Sequence, residues 1–242
     1  MTLVLHRDAD VLEVFLDRVE EDNRLNAELI TELTEVLDTA GSADGPHVVL
    51  LAANGPDFSL GRERQPGVIQ TPRMVEAEFT RIQALNEALS SCGAVTIAAV
   101  HGRAEGAALS LAARSDIVLA ARDARLSFPE IPHGIPPTIV LSRYAYVLPR
   151  SILGDLFFGG RVIDGAEAVQ FGLAARSVDA GLLLPAAREL ASQIAGYDRA
   201  SVRVVKQFLA QLDSIPLREA PAVGIAAYAL EMAERAARAG AA

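Results

Sequence analysis

The chain of 242 residues has no tryptophan, a single cysteine (Cys92), few aromatic residues (5%) and a single lysine (Lys206). One cysteine rules out an internal disulfide and a cysteine metal cluster, and points to a reducing, cytoplasmic setting. No apolar stretch long enough to span a bilayer runs free of charge, so no membrane helix is expected. The first residues, Met1-Thr2-Leu3-Val4-Leu5-His6-Arg7-Asp8, lack a basic segment followed by an apolar one, so no secretory signal is expected. The formal net charge is −9 and no basic run exceeds two residues, which argues against nucleic acid or an anionic membrane as partner. GxxxxGK[ST], HExxH and CxxC are absent, and no GxGxxG follows a strand. Nucleotide-loop and zinc chemistry therefore lack their usual carriers, and no metal is expected.

What is present is a large apolar fraction, 51%, enough for one sizeable core. Residues 2–6 and 11–16 alternate around Arg7-Asp8-Ala9-Asp10 and predict a hairpin. Asn26 suits a helix N-cap, with Glu28 in the first turn and Leu29, Ile30, Leu33, Val36 and Leu37 on one face. Gly41 to Gly45 should end that helix, and His47 to Ala53 should form a buried strand. Phe79, Ile82, Leu85 and Leu89 mark an amphipathic helix. The most informative stretch is 95–137. A β-branched run from Val95 to Val100 breaks at His101-Gly102, and Gly106 leads into the small residues Ala107, Ala108, Ser110, Ala112 and Ala113. A second apolar run, Ile117 to Ala120, follows, and then Phe128-Pro129-Glu130 opens a Pro/Gly-rich loop. Such an order sets backbone N–H groups beside an acid/base group. Beyond it, 138–148 and 151–158 read as short helices parted by Pro149, and Asp164 with Glu167 has capping-box spacing ahead of Gly172. Residues 183–196, 200–212 and 217–239 read as helices. Strand and helix alternate over the first two thirds and helices fill the last, an α/β chain.

Four segments together resemble the crotonase (enoyl-CoA hydratase/isomerase) superfamily. They are Asp22-Asn23-Arg24-Leu25-Asn26-Ala27; Asn54-Gly55-Pro56-Asp57-Phe58-Ser59-Leu60-Gly61; Val95 to Asp116 with Pro129-Glu130 and Gly134; and Gly160-Arg161-Val162-Ile163-Asp164-Gly165-Ala166-Glu167-Ala168 with Gly172-Leu173. The resemblance implies a crotonase-like spiral of ββα units with two sheets over 1–185, and a C-terminal helical trimerisation region over 186–242. It implies a homotrimer or dimer of trimers and an acyl-CoA substrate, coenzyme A being part of the substrate rather than a cofactor.

It also implies an oxyanion hole for the thioester oxygen. A donor in such a hole is worth roughly 3 kcal/mol. The N–H of Leu60 and the N–H of Ala107 are the expected donors, with Glu130 as the acid/base. Relatives of the hydratase type carry a further glutamate where this chain has Ser110. Serine can hold water but cannot serve as its base near neutral pH. Moving a proton between the α- and γ-carbons of an enoyl thioester is then the simplest task for the remaining carboxylate. The alternatives are hydration with Glu105 as a displaced second acid, a CoA-binding homologue without turnover, and a hydrolase pairing Ser110 with His133. Thr138 stands where some dienoyl isomerases have an aspartate. Arg24, Ser59, Leu60, Arg62 and Arg64 are candidates for contacts to CoA, as are Lys206, Arg235 and Arg238 of the C-terminal region. An apolar wall of Ile131, Pro132 and Ile135 should raise the pKa of Glu130.

Overall fold

The structure, a computed structural model, describes residues 2–40, 42, 44–64 and 71–240. The expected helix stop at Gly41 lies outside them. The predicted hairpin forms: β1 (Leu3–Asp8) and β2 (Val11–Leu16) pair antiparallel, with Leu3 opposite Leu16 and Asp8 opposite Val11. The chain then builds a parallel array from β3 (Val48–Ala53), β4 (Val95–Val100), β6 (Ile117–Ala121) and β8 (Arg176–Val178). The six-stranded sheet runs β1-β2-β3-β4-β6-β8. Every residue of β3 and β4 is buried, as expected of central parallel strands covered on both faces.

A smaller second sheet pairs β5 (Arg103–Glu105) with β7 (Arg125–Ser127) in parallel. Single bridges extend it: Ser59 with Ala104, Leu25 with Arg62, and Leu126 with Ile163. The mixed α/β architecture matches the expected fold class. The three-residue strands β5, β7 and β8 were not predicted, since so short a run carries no alternation to read.

Helices cover the sheets. Helix α1 (Ala27–Ala40) starts where expected, with the Asn26 side chain accepting the Leu29 N–H at 2.8 Å. Its Leu29, Ile30, Leu33 and Leu37 are buried, each contributing about 1.5–3 kcal/mol of apolar transfer. Helix α2 (Pro72–Ser91) packs beside it. Helix α3 (Ala107–Ala112) follows β5 directly. Instead of one helix over 151–158, α4 (Thr138–Tyr144) is followed by α5 (Arg150–Leu153), begun by Pro149, and a π-turn over Gly154–Phe158. Helix α6 (Gly165–Gln170) carries the predicted capping box of Asp164 and Glu167. Helix α7 (Ala180–Ala195) lies on the central sheet and spans the expected 185/186 boundary. Helices α8 (Arg199–Gln211) and α9 (Ala220–Gly240) pack on each other. Among the described residues no helix is long and apolar enough to cross a membrane.

Candidate active site

A cavity of about 650 Å³ opens between the two sheets' connecting loops, α2 and the start of α4. Leu60, Arg62, Arg64 and Arg24 line one side, and Glu105, Gly106, Ala107 and Glu130 another. His133, Ile135, Thr138, Ile139 and Val140 close it from the 130–140 loop and α4, while Val75 and Phe79 reach in from α2. The cavity thus collects Glu130, Leu60, Ala107, Glu105, His133, Arg24, Arg62 and Arg64 from segments far apart in sequence. Ser59, Ser110 and Lys206 are not among its lining residues.

Packing behind the Pro129-Glu130 loop fixes its position. Phe128 stacks on Phe157 with centroids 4.3 Å apart and meets Tyr144 edge-on at 5.1 Å. The three rings are fully buried, and the loop leaves this anchor to bring the Glu130 carboxyl against Gly106, at whose Cα a methyl would collide with it. Gly106 (φ +51°, ψ −116°) adopts a backbone that a side chain disfavours, so glycine is required here for conformation, and its missing side chain leaves the place that the Glu130 carboxyl takes. The Glu130 Oε2 is buried and has no hydrogen-bond partner among the described residues. Burial raises the Glu130 pKa above its ordinary value, the Glu105 charge adds to the shift, and Arg64 and Arg62 oppose it. The expected cause is only partly right: burial raises the pKa, but Ile131 and Pro132 are exposed, and the carboxyl lies against Gly106.

The two loops expected to supply N–H donors lie against each other. A methyl built on Gly61 would come within 2.8 Å of the Glu105 carbonyl oxygen and 3.7 Å of the Ala107 nitrogen. On one edge, segment 59–62 pairs with β5, where Glu105 N–H donates to Ser59 O at 3.1 Å. On the other edge it pairs with Leu25. Leu25 N–H donates to Gly61 O at 2.8 Å, and Glu63 N–H donates to Leu25 O at 3.0 Å. These bonds use the groups flanking Arg62, so the Arg62 N–H itself faces the Ala107 side.

Leu60 requires a correction. Its N–H donates to the Asp22 carbonyl at 3.1 Å and is spent in the fold. The left-handed Gly61 (φ +76°) shifts the strand's alternation by one residue, and Arg62 presents the inward N–H instead. Neither Arg62 N–H nor Ala107 N–H meets a backbone acceptor among the described residues. Sequence reasoning missed Arg62 in this role; the signal was the positive-φ glycine just before it. It also missed Asn23, whose side-chain amide donates to the carbonyls of Asn54 (2.8 Å) and Asp57 (3.0 Å), pinning the loop that precedes Gly61.

Other candidates fall elsewhere. Ser59 is 0% exposed, and its hydroxyl accepts the Gly61 N–H at 3.3 Å, so it shapes the turn and is inaccessible to a ligand. Ser110 is 5% exposed and is one of the buried residues of α3. Its neighbour is the buried Tyr144, whose hydroxyl is pushed well above its ordinary pKa by complete burial, with Ser110 the main opposing influence. His133 is exposed at the cavity mouth. The serine–histidine pair of the hydrolase alternative therefore finds no support: Ser110 is buried and His133 is exposed. Lys206 is 7% exposed and donates to Ala94 O at 2.5 Å and Asp116 Oδ2 at 2.8 Å. It ties α8 to the ends of β4 and β6 and is not free to meet CoA. Arg235 pairs with Asp198, and Arg238 with Glu231, both away from the cavity.

The sequence matches the family described as Enoyl-CoA hydratase/isomerase over residues 6–227. It is 29% identical over 222 residues to the 2,3-dehydroadipyl-CoA hydratase of Escherichia coli, covering 89% of this chain and 84% of that protein. The fold is similar to an enoyl-CoA hydratase of Mycobacterium smegmatis, with a TM-score of 0.89 at 26% identity, covering 96% of this chain and 91% of the other. It is also similar to a Thermobifida fusca protein assigned as an enoyl-CoA hydratase and solved in complex with CoA, with a TM-score of 0.84 at 28% identity, covering 97% and 94%.

Proposed function

This chain belongs to the enoyl-CoA hydratase/isomerase family, and from that premise we propose that it shifts the double bond of a 3-enoyl-CoA thioester to the 2-position, with Glu130 carrying the proton. One observation carries the reading: the Glu130 carboxyl faces the cavity from its inner wall, and its Oε2 has no partner among the described residues. The ionised carboxylate takes a proton from the α-carbon, and the electron pair passes through the dienolate to the thioester oxygen. The N–H groups of Arg62 and Ala107 hold that oxygen. The protonated Glu130 then returns the proton to the γ-carbon, leaving the 2-enoyl product. A raised pKa suits both halves, because it makes the carboxylate a stronger base toward the α-proton and lets its conjugate acid keep that proton until the γ-carbon takes it.

A second reading, hydration of a 2-enoyl thioester, is favoured by Glu105, which lines the same cavity and raises the Glu130 pKa. Purified protein assayed on 3-enoyl-CoA for isomerisation and on 2-enoyl-CoA for hydration separates the two. Glu130→Gln should lower isomerisation by about 10²–10⁴-fold. Acyl-CoA binding without turnover on either substrate would mark a non-catalytic homologue. For assembly we propose a trimer built through α8 and α9, supported by their exposed Val205, Leu209, Ile225, Tyr228 and Leu230; light scattering of the full chain tests it. The oligomerisation region then begins after α7 and not at 186. The reading places the protein in the cytoplasm and gives it no cofactor beyond the CoA of its substrate.

A further inference from the structure

Three arginines line the cavity, and two of them are occupied. Arg24 donates to the Leu60 carbonyl at 3.0 Å and pairs with Asp22 at 3.5 Å. Arg62 pairs with Glu78 at 2.7 Å, its guanidinium lying 5.2 Å from the centre of the Phe79 ring. Arg64 has neither an ion pair nor a hydrogen bond among the described residues, and residues 65–70 that follow it, Gln-Pro-Gly-Val-Ile-Gln, hold no acid. Ile135, Ile139 and Val140 add apolar surface to the same cavity, beside the polar His133 and Thr138. A guanidinium without a direct ion-pair partner among the described residues, in a cavity with such apolar lining, gains from an anion brought in by the ligand.

We propose that Arg64 selects acyl thioesters whose acyl chain carries a free carboxylate. The proposal rests on the acyl-CoA reading of the site and names its substrate class. Two anions on an acyl-CoA could meet Arg64: a carboxylate on the acyl chain or the nucleotide phosphates. Position favours the first. Arg64 and Glu130 feel each other's charge, Arg64 lowering the Glu130 pKa and Glu130 raising that of Arg64. Both line the same cavity, and a cation that shares a cavity with the proton-transferring carboxylate stands on the acyl side, whereas the pantetheine arm carries the phosphates far from the thioester. Arg62 and Arg24 crowd the same cation, and an incoming carboxylate relieves that repulsion. Arginine also offers two parallel N–H donors that match a carboxylate's two oxygens.

Binding calorimetry on the full-length chain tests this without turnover. The ligands are matched pairs of equal carbon count: succinyl- against butyryl-CoA, glutaryl- against pentanoyl-CoA, and adipyl- against hexanoyl-CoA. In at least one pair the wild-type protein should bind the carboxylate-bearing member about tenfold more tightly or better. Arg64→Gln should abolish that preference by weakening the carboxylate-bearing member selectively, and a thermal melt of the variant should match wild type, showing that it folds. Equal loss on both members would assign Arg64 to the phosphates and overturn the proposal, as would the absence of a preference in every pair. Binding of neither member would overturn the acyl-CoA reading itself, and the proposal with it.

Discussion

Gly106→Ala is the sharpest perturbation of the site. The residue has φ +51° and ψ −116°, a conformation that costs a side-chain-bearing residue about 1–3 kcal/mol. The added methyl also runs into the Glu130 carboxyl. Moving that side chain off its rotamer costs a further 0.5–1.5 kcal/mol or about that, so the total loss should be about 2–4 kcal/mol. Gly172→Ala isolates the backbone part: Gly172 has φ +75° with nothing within 4 Å of an added methyl, and should lose only about 1–2 kcal/mol. The functional cost separates the two further. Displacing Glu130 by about 1 Å should lower kcat by about 100-fold, whereas Gly172→Ala lies at the end of α6 and should leave kcat unchanged. Denaturant unfolding and turnover of both variants measure these differences. In the double variant Gly106→Ala/Glu130→Ala the stability loss beyond backbone strain should vanish, since the collision partner is gone. If Gly106→Ala retains wild-type turnover and loses no more stability than Gly172→Ala, the account of Glu130 held against this turn is wrong.

Glu130→Gln should trade activity for stability. The folded pKa of Glu130 lies above its ordinary 4.5, so ionisation disfavours the folded state. Wild-type stability falls relative to the variant as pH rises from about 4.5 through the raised value, and the gap then levels off; thermal melts across pH read it. Asp57 runs the other way. Arg103 donates to it from its backbone at 2.7 Å and its side chain at 2.7 and 3.1 Å, holding its pKa below the ordinary 3.8. Asp57→Asn should therefore destabilise the protein at neutral pH, and the difference from wild type should close as pH falls below 3.8 toward the depressed value. Lys206→Met should cost about 2–3 kcal/mol in chemical unfolding, less than a fully buried pair because Asp116 keeps Thr96 and partial solvent access. Its acyl-CoA affinity should not change, and a selective loss of affinity would restore Lys206 as a ligand contact.

Local chemistry alone determined a good deal of this protein. The β1–β2 hairpin, the Asn26 cap, the capping box at Asp164 and the strand–glycine–helix order around Gly106 depend on neighbours a few residues away, and each formed as read. Glu130 stood out for the same reason, as an acid isolated in a stiff loop between a buried aromatic and a glycine. The tertiary structure decided what depends on long-range pairing. Which N–H faces the cavity follows from the bridge to Leu25 and the left-handed turn at Gly61, which leave the Leu60 N–H bonded to Asp22 and turn the Arg62 N–H away from Leu25. Burial decided that Ser59, Ser110 and Lys206 serve the fold: the Ser59 hydroxyl takes the Gly61 N–H of its own turn, Ser110 is buried within α3, and Lys206 is held by Ala94 and Asp116 from other elements. The ion pairs of Arg24 with Asp22 and of Arg62 with Glu78, which leave Arg64 without one among the described residues, likewise exist only once α2 and the 22–25 segment are folded against the cavity.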